Sequence, residues 1–271
     1  NSRESDACLA CGSLLLDLDE DEQRVEYRDV LQTGDLLRDT YEITGNLGEG
    51  GAGLVYRARH RELDHDVAIK TLFAQYARDP DTRARFVEEG RIQARLAHPN
   101  ILRVTDIVDD PDLCAIIMEL VEGISLERLL MRLRAMPPIE AMLRLFLGVL
   151  EGVEHAHEAG IVHRDIKPAN ILLSQTKRGV IPKLGDFGVA KSFSSKGRTV
   201  SGSLMGTVDY MAPEQFEDVA GVDRRADIYA LGVTLFEMLT LRLPFEADSD
   251  VAIIRAHCDA PAPDPRSFNP G

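Results

Sequence analysis

The chain has 271 residues, 44% of them apolar and 28% charged, with a formal net charge of −14 and four cysteines. This is the composition of an ordinary globular protein, with enough chain for one large core or two smaller ones. The acidic balance argues against a nucleic-acid partner, which needs a basic face, and no apolar run reaches the roughly 18 residues of a membrane span. No secretory leader is read at the start, and cysteines at 8, 11, 114 and 258 do not form a disulfide framework, so a reducing, cytoplasmic setting is expected.

Residues 1–40 form an acidic head, with eleven acids against four arginines, half of the net charge. Cys8-Leu-Ala-Cys11-Gly12 has the spacing of half a zinc knuckle, and a structural zinc needs four ligands. Three readings stay open: a partner pair upstream, two chains sharing one zinc, or free thiols. Asp17 to Glu22 reads as a solvated linker. The chain opens on Asn1 and ends on Pro270-Gly271, and it reads as a piece of a longer protein.

From Tyr41 the pattern becomes β-type. Gly48-Glu49-Gly50-Gly51-Ala52-Gly53-Leu54-Val55 fits G-x-G-x-x-G-x-V, and a strand rather than a helix comes after it. That continuation argues against a dinucleotide-binding turn, which opens a helix. Val67-Ala68-Ile69-Lys70 is an apolar strand ending in a cation. Arg83 to Leu96 reads as a helix with Phe86, Ile92 and Leu96 as its apolar members. Glu88 and Glu89 are adjacent in it, so only one of them can face inward. Gly90 weakens such a helix by roughly 1 kcal/mol relative to alanine. It suggests a helix loosely held in place. Strands flank the turn at Asp109 to Asp112, and Met118 to Gly123 links this β-type part to the helices of the second half.

Ser125 to Arg134 and Pro138 to Gly160 read as helices, the second with an apolar stripe through Leu143, Phe146, Leu147 and Leu150. Ile161 to Ser174 (IVHRDIKPANILLS) then places a carboxylate, an amine and an amide (Asp165, Lys167, Asn170) in a short loop between apolar flanks. Gln175 to Pro182 reads as a hairpin, and Asp186-Phe187-Gly188 begins sixteen residues after Asn170. Gly185 before it suggests a loosened backbone. Lys191 to Leu204 is rich in Ser, Lys and Gly, and taken alone it would pass for disorder. Gly206-Thr207 and Met211-Ala-Pro-Glu214 come next; Asp223 to Thr240 reads as a buried helix, and Ser249 to His257 as a last one.

In this order and spacing, GxGxxGxV, VAIK, HRDxKxxN, DFG and APE resemble the eukaryotic-like (Hanks-type) Ser/Thr protein kinases. GEGGAGLVYRA and APEQ are similar to the bacterial branch. The resemblance implies an α+β, bilobal fold: a small β-rich lobe over 41–120 and a larger helical lobe over 121–271, with its closing helices beyond the chain. It implies ATP held by Leu47, Gly48, Glu49, Gly50, Gly51, Gly53, Val55, Ala68 and Lys70, by the backbone of Glu119 and Val121, and by Leu172 from below. Lys70 would hold the α- and β-phosphates and pair with Glu89; Mg2+ would bind Asp186 and Asn170. Asp165 would accept the substrate hydroxyl proton, and Lys167 would neutralise the transferring phosphoryl group. Asp227 would brace the loop backbone. Thr207 would hydrogen-bond towards Asp165 and Lys167. Arg164 would pair with a phosphate on the activation segment, with Thr199 and Ser201 as sites and Ser203 third. Expected partners are protein substrates and a second copy of the chain for trans-autophosphorylation. A kinase-fold scaffold or pseudokinase, the alternative, would have lost Lys70, Asp165 or Asp186; none is lost. A small-molecule phosphotransferase would usually lack the APE segment.

Overall fold

The computed structural model describes residues 31–50, 52–110, 113–177, 179–187, 208–217 and 221–269. A six-stranded antiparallel sheet is built from β1 (Leu36–Leu37), β2 (Tyr41–Gly50), β3 (Gly53–His60), β4 (His65–Thr71), β5 (Val104–Asp110) and β6 (Leu113–Glu119), in the order β1-β2-β3-β4-β6-β5. The alternation read from Tyr41 onward buries Tyr41, Ile43, Tyr56, Ala58, Val67 and Ile69 in one cluster, as expected of strands with one covered face. The sheet begins before Tyr41. Leu37 lies in that same cluster, the Leu31 amide donates to Tyr56 Oη (3.2 Å), and Arg38 forks onto Asp110 (2.7 and 3.1 Å). The acidic composition of residues 1–40 hid this short pairing.

Helix α1 (Ala74–Ala77) leads to α2 (Pro80–Ala94). The second starts ahead of the expected Arg83 because Asp79 caps it, accepting from the Thr82 amide (3.2 Å), with Pro80 in the first turn. Its buried stripe runs through Phe86, Glu89, Gly90 and Gln93. The expectation of a loose helix is not met. A Cβ on Gly90 would stand 3.0 Å from Ile116 Cγ1 and 3.1 Å from Ile107 Cδ1, so the glycine lets α2 sit directly on β5 and β6. Gln93 is buried, and its Nε2 donates to the Leu102 carbonyl at 2.7 Å. Both residues hold the helix in.

The large lobe contains β7 (Gly123–Ser125), α3 (Leu126–Arg132), α4 (Ile139–Glu158), β8 (Ile171–Thr176), β9 (Gly179–Leu184), α5 (Glu214–Glu217), α6 (Arg224–Thr240) and α7 (Asp250–Asp259). The stripe read on α4 is rotated. Met142, Phe146, Val149 and Val153 are buried, whereas Leu143 and Leu147 face outward. Gly152 sits against Asn100, where a Cβ would meet the carbonyl oxygen at 2.8 Å; close backbone approach, and not leucine count, selects the face. The core gathers α3, α4 and α6 around Ile166, Ile171, Leu184 and Phe187. Each fully buried side chain of this kind stabilises by roughly 1.5–3 kcal/mol.

The hairpin β8–β9 pairs Ile171 with Leu184. It folds the chain back on itself, so that the Gly185 amide donates to the Asn170 carbonyl at 2.9 Å. This is what brings Asp186 beside the loop that carries Asp165. Overpacking at the α2–sheet contact should cost roughly 1–3 kcal/mol. Gly90→Val is therefore expected to destabilise the domain by that amount in urea unfolding, and an unchanged midpoint would show slack between helix and sheet.

Candidate active site

A cavity of ≈ 330 Å³ lies between the lobes, a volume suited to a small ligand. Its apolar walls include Leu47 and Val55 from the β2–β3 pair, Ala68 from β4 and Leu172 from β8. Glu119 and Val121 border it along the crossing from β6 to β7, and Lys70, Asn170 and Asp186 form its polar end. Gly48, Glu49, Gly50 and Gly53 lie on the β2–β3 pair. Gly53 has a packing role: a Cβ there would stand 1.6 Å from the Thr71 carbonyl oxygen. Cys8, Cys11, Gly51, Thr199, Ser201, Ser203 and Thr207 lie outside the described residues.

Three elements meet at Lys70. Its Nζ is 2.6 Å from Asp186 Oδ1 and 3.5 Å from Glu89 Oε1. Burial disfavours the ammonium, but the two carboxylates outweigh it and raise the lysine above its ordinary value. Burial likewise opposes the Asp186 carboxylate, yet Lys70 holds it below the usual range. Glu89 differs. Desolvation dominates there, Lys70 only partly offsets it, and the carboxyl is pushed up to about 7. The lysine thus serves Asp186 first.

The catalytic-loop candidates are held by a set of backbone clamps. Asp227, buried at the start of α6, accepts from the His163 amide (2.8 Å), the Arg164 amide (2.7 Å) and His157 Nε2 (2.7 Å). His163 accepts from the Asp165 amide on Nδ1 (3.2 Å), which leaves Nε2–H to donate to the Gly185 carbonyl (3.0 Å). Burial keeps this imidazole below its ordinary pKa and hence neutral. Gly185, read as a loose point, is therefore bonded through both its amide and its carbonyl. Asn170 Nδ2 donates to the Asp165 carbonyl (2.8 Å) and to Asp165 Oδ2 (3.0 Å), and Lys167 Nζ stands 3.4 Å from the same carboxylate oxygen. Arg164 and Asp186 both take left-handed φ, +67° and +54°, a strain these contacts hold in place. The Arg164 guanidinium donates to the Val222 carbonyl (3.1 Å).

Motif reading did not single out several participants. Arg128, in the first turn of α3, lines the cavity. His157 braces Asp227 from α4. The Glu119 side chain accepts from the Arg103 amide and Lys183 Nζ, both at 2.8 Å, tying β9 to the crossing. A histidine one turn before a loop or a lysine within a hairpin carries no spacing signal of its own.

A β-rich lobe over a helical lobe, with Lys70, Asn170 and Asp186 in the cleft between them and Glu89 paired to the lysine, defines the class as a protein kinase fold. The chain belongs to the protein kinase domain family, whose model matches residues 41–264. It is 41% identical to a probable serine/threonine-protein kinase of Streptomyces coelicolor over 85% of this chain and 34% of that protein. It is 39% identical to the serine/threonine-protein kinase PrkC of Bacillus subtilis over 88% of this chain and 36% of that protein. The chain thus spans about a third of the length of these relatives. The crystal structure of the Mycobacterium tuberculosis PknI kinase domain superposes with a TM-score of 0.68 at 29% identity, covering 89% of this chain and 85% of that one.

The raised Glu89 pKa has a signed consequence. The unfolded carboxyl ionises near its ordinary value while the folded one resists until about 7, so folding loses stability as pH rises from roughly 4.5 to 7. Glu89→Gln should accordingly stabilise the domain in urea unfolding at pH 8, by an amount that shrinks towards zero near pH 5. A variant less stable than wild type at pH 8 would contradict this.

Proposed function

We propose that this domain is a protein Ser/Thr kinase that transfers the ATP γ-phosphoryl group to protein hydroxyls. The observation that carries the reading is the convergence of Lys70, Asn170 and Asp186 at the polar end of one cleft, with the Asp165 carboxylate held 3.0 Å from Asn170 Nδ2 beside it, in a family of ATP- and Mg2+-dependent enzymes. The donor set of one carboxylate and one amide oxygen, with room left for water and substrate phosphates, fits Mg2+. Asn170 spends its NH2 on Asp165, leaving its amide oxygen as the ligand atom, and Asp186 stays ionised. Bound there, Mg2+ supplies charge neutralisation at the phosphates.

The chain's own residues do the rest. The apolar walls take the purine. The Glu119 amide already donates to the Arg103 carbonyl (2.9 Å), so a base edge reaches Glu119 through its carbonyl and Val121 through its amide. Lys70 holds the α- and β-phosphates once a nucleotide enters, and Glu89 keeps a second acceptor beside it. Asp165, aimed by Asn170 and the clamped loop, orients the acceptor hydroxyl and takes its proton. Lys167, its Nζ 3.4 Å from Asp165 Oδ2, neutralises the moving phosphoryl group. The Gly48–Gly53 flap covers the phosphates with backbone amides.

Regulation follows the sequence reading: Arg164 meets a phosphate on Thr199 or Ser201, with Ser203 third and Thr207 docking the substrate, and a second copy of the chain is the first substrate. Cys8 and Cys11 keep their reading as half a zinc site; among the described residues no group of three or more His, Cys, Asp or Glu is placed to hold a metal. Also among the described residues, no helix is long and apolar enough to cross a membrane. The need for ATP and the free thiols Cys114 and Cys258 favour a cytoplasmic setting.

Asp165→Asn is expected to lower kcat on a Ser/Thr peptide by about 10²–10⁴-fold. In the same incubation with Mg-ATP, mass spectrometry should find Thr199 and Ser201 phosphorylated in wild type only. Equal transfer by the two proteins would remove the assignment of the base.

A further inference from the structure

Besides Asp227, a second side chain from the segment after the loop bonds the catalytic-loop backbone. Gln215 lies in the short helix α5, and both ends of its amide are bonded. Oε1 accepts from the Ala212 amide at 3.0 Å, and Nε2 donates to the Arg164 carbonyl at 3.1 Å, 51 positions away in sequence. The first bond alone is a familiar local device, a side chain at a helix start reaching back to a backbone amide. A glutamate would serve it equally well. The second bond has no part in capping and requires a donor, so only an amide satisfies both.

The carbonyl that Gln215 holds belongs to the peptide linking Arg164 to Asp165. The N–H of that same peptide, the Asp165 amide, donates to His163 Nδ1 at 3.2 Å. Both edges of the plane are thereby pinned, and the plane sets the direction in which the Asp165 side chain leaves the backbone. The preceding residue, Arg164, is the one in the left-handed region (φ +67°), with its amide held by Asp227. At the other end of the Gln215 side chain, Ala212 is fully buried and follows Tyr210 and Met211. Tyr210 and Met211 border, with Arg164, Asp165 and Gln215, a small gap of ≈ 10 Å³ between this segment and the loop. Across a seam that side chains leave partly unfilled, the amide is a direct polar tie.

We infer that Gln215 is a positioning residue for phosphoryl transfer. It fixes the Arg164–Asp165 peptide plane to the Tyr210–Ala212 segment, so that the base and the wall beside it move as one unit. The inference rests on the assignment of Asp165 as the base.

Two variants of the full 271-residue chain test it. Gln215→Glu keeps an acceptor for the Ala212 amide but loses the donor and places a carboxylate oxygen against the Arg164 carbonyl. Gln215→Met removes both bonds with little change of shape. Misplacement of a base by an ångström costs on the order of 10²-fold in rate. Both variants should therefore lose about tenfold to a hundredfold in kcat on a peptide, with KM for ATP within about twofold of wild type. Hydrogen exchange supplies a readout independent of activity: the Ala212 amide should stay protected in Gln215→Glu and exchange faster in Gln215→Met. A Gln215→Glu protein with kcat within about twofold of an active wild type would overturn the inference, as would a rise in the KM for ATP that matches the loss of kcat. A wild-type chain inert towards every peptide would instead remove the kinase reading, and this inference with it.

Discussion

One buried ammonium between two carboxylates organises this domain. Lys70 lies near the end of β4, Glu89 faces it from α2, and Asp186 follows β9, so the electrostatic needs of three groups tie the sheet, the helix and the large lobe to a single point. A charge taken out of water without a partner costs several kcal/mol; Lys70 and Asp186 meet that need in each other, and Glu89 meets it only in part. The lysine is not shared evenly. It stands nearly an ångström closer to Asp186 than to Glu89, and burial raises the Glu89 carboxyl further than the more distant lysine offsets. The ion pair therefore does little to pull α2 inward. Packing of Gly90 on Ile107 and Ile116 does more, helped by the bond from Gln93 to the Leu102 carbonyl.

Around that point the loop chemistry is arranged by backbone bonds. Asp227 gathers two consecutive amides and a histidine, His163 spans from the loop to Gly185, and Asn170 holds the side chain of Asp165. Two of the residues with left-handed φ, Arg164 and Asp186, belong to or adjoin this network. Strain of that kind persists only where the surroundings over-determine it. The bonds to His163, Arg164 and Gly185 are that over-determination.

The fold and the polar end of the cleft were legible because phosphoryl transfer demands particular residue types at particular distances. A cation must end a strand, a carboxylate and an amide must share a loop, and a second carboxylate must return after one hairpin; VAIK, HRDxKxxN and DFG state this directly. The misreadings have a common physical origin. Gly90, Gln93 and Gly185 look like weak points when judged by residue type, but each is explained by a neighbour outside its own segment: Ile116, Leu102 and His163. On α4 the leucines suggested one face while Gly152, meeting Asn100, chose another. The pairing of Leu37 with Tyr41 was hidden by acidic neighbours. Periodicity records what a residue is; it cannot record what stands opposite when that partner is 51 positions away, as for Gln215 and Arg164.

The central claim is that Lys70 assembles a working phosphoryl-transfer site, and single-turnover transfer of the γ-phosphate by Lys70→Met tests it most directly. Removing one preorganised charge that acts on the transition state is expected to slow transfer by roughly 10²–10³-fold, in a protein whose far-ultraviolet circular dichroism matches wild type. Transfer at the wild-type rate by that variant would contradict the account.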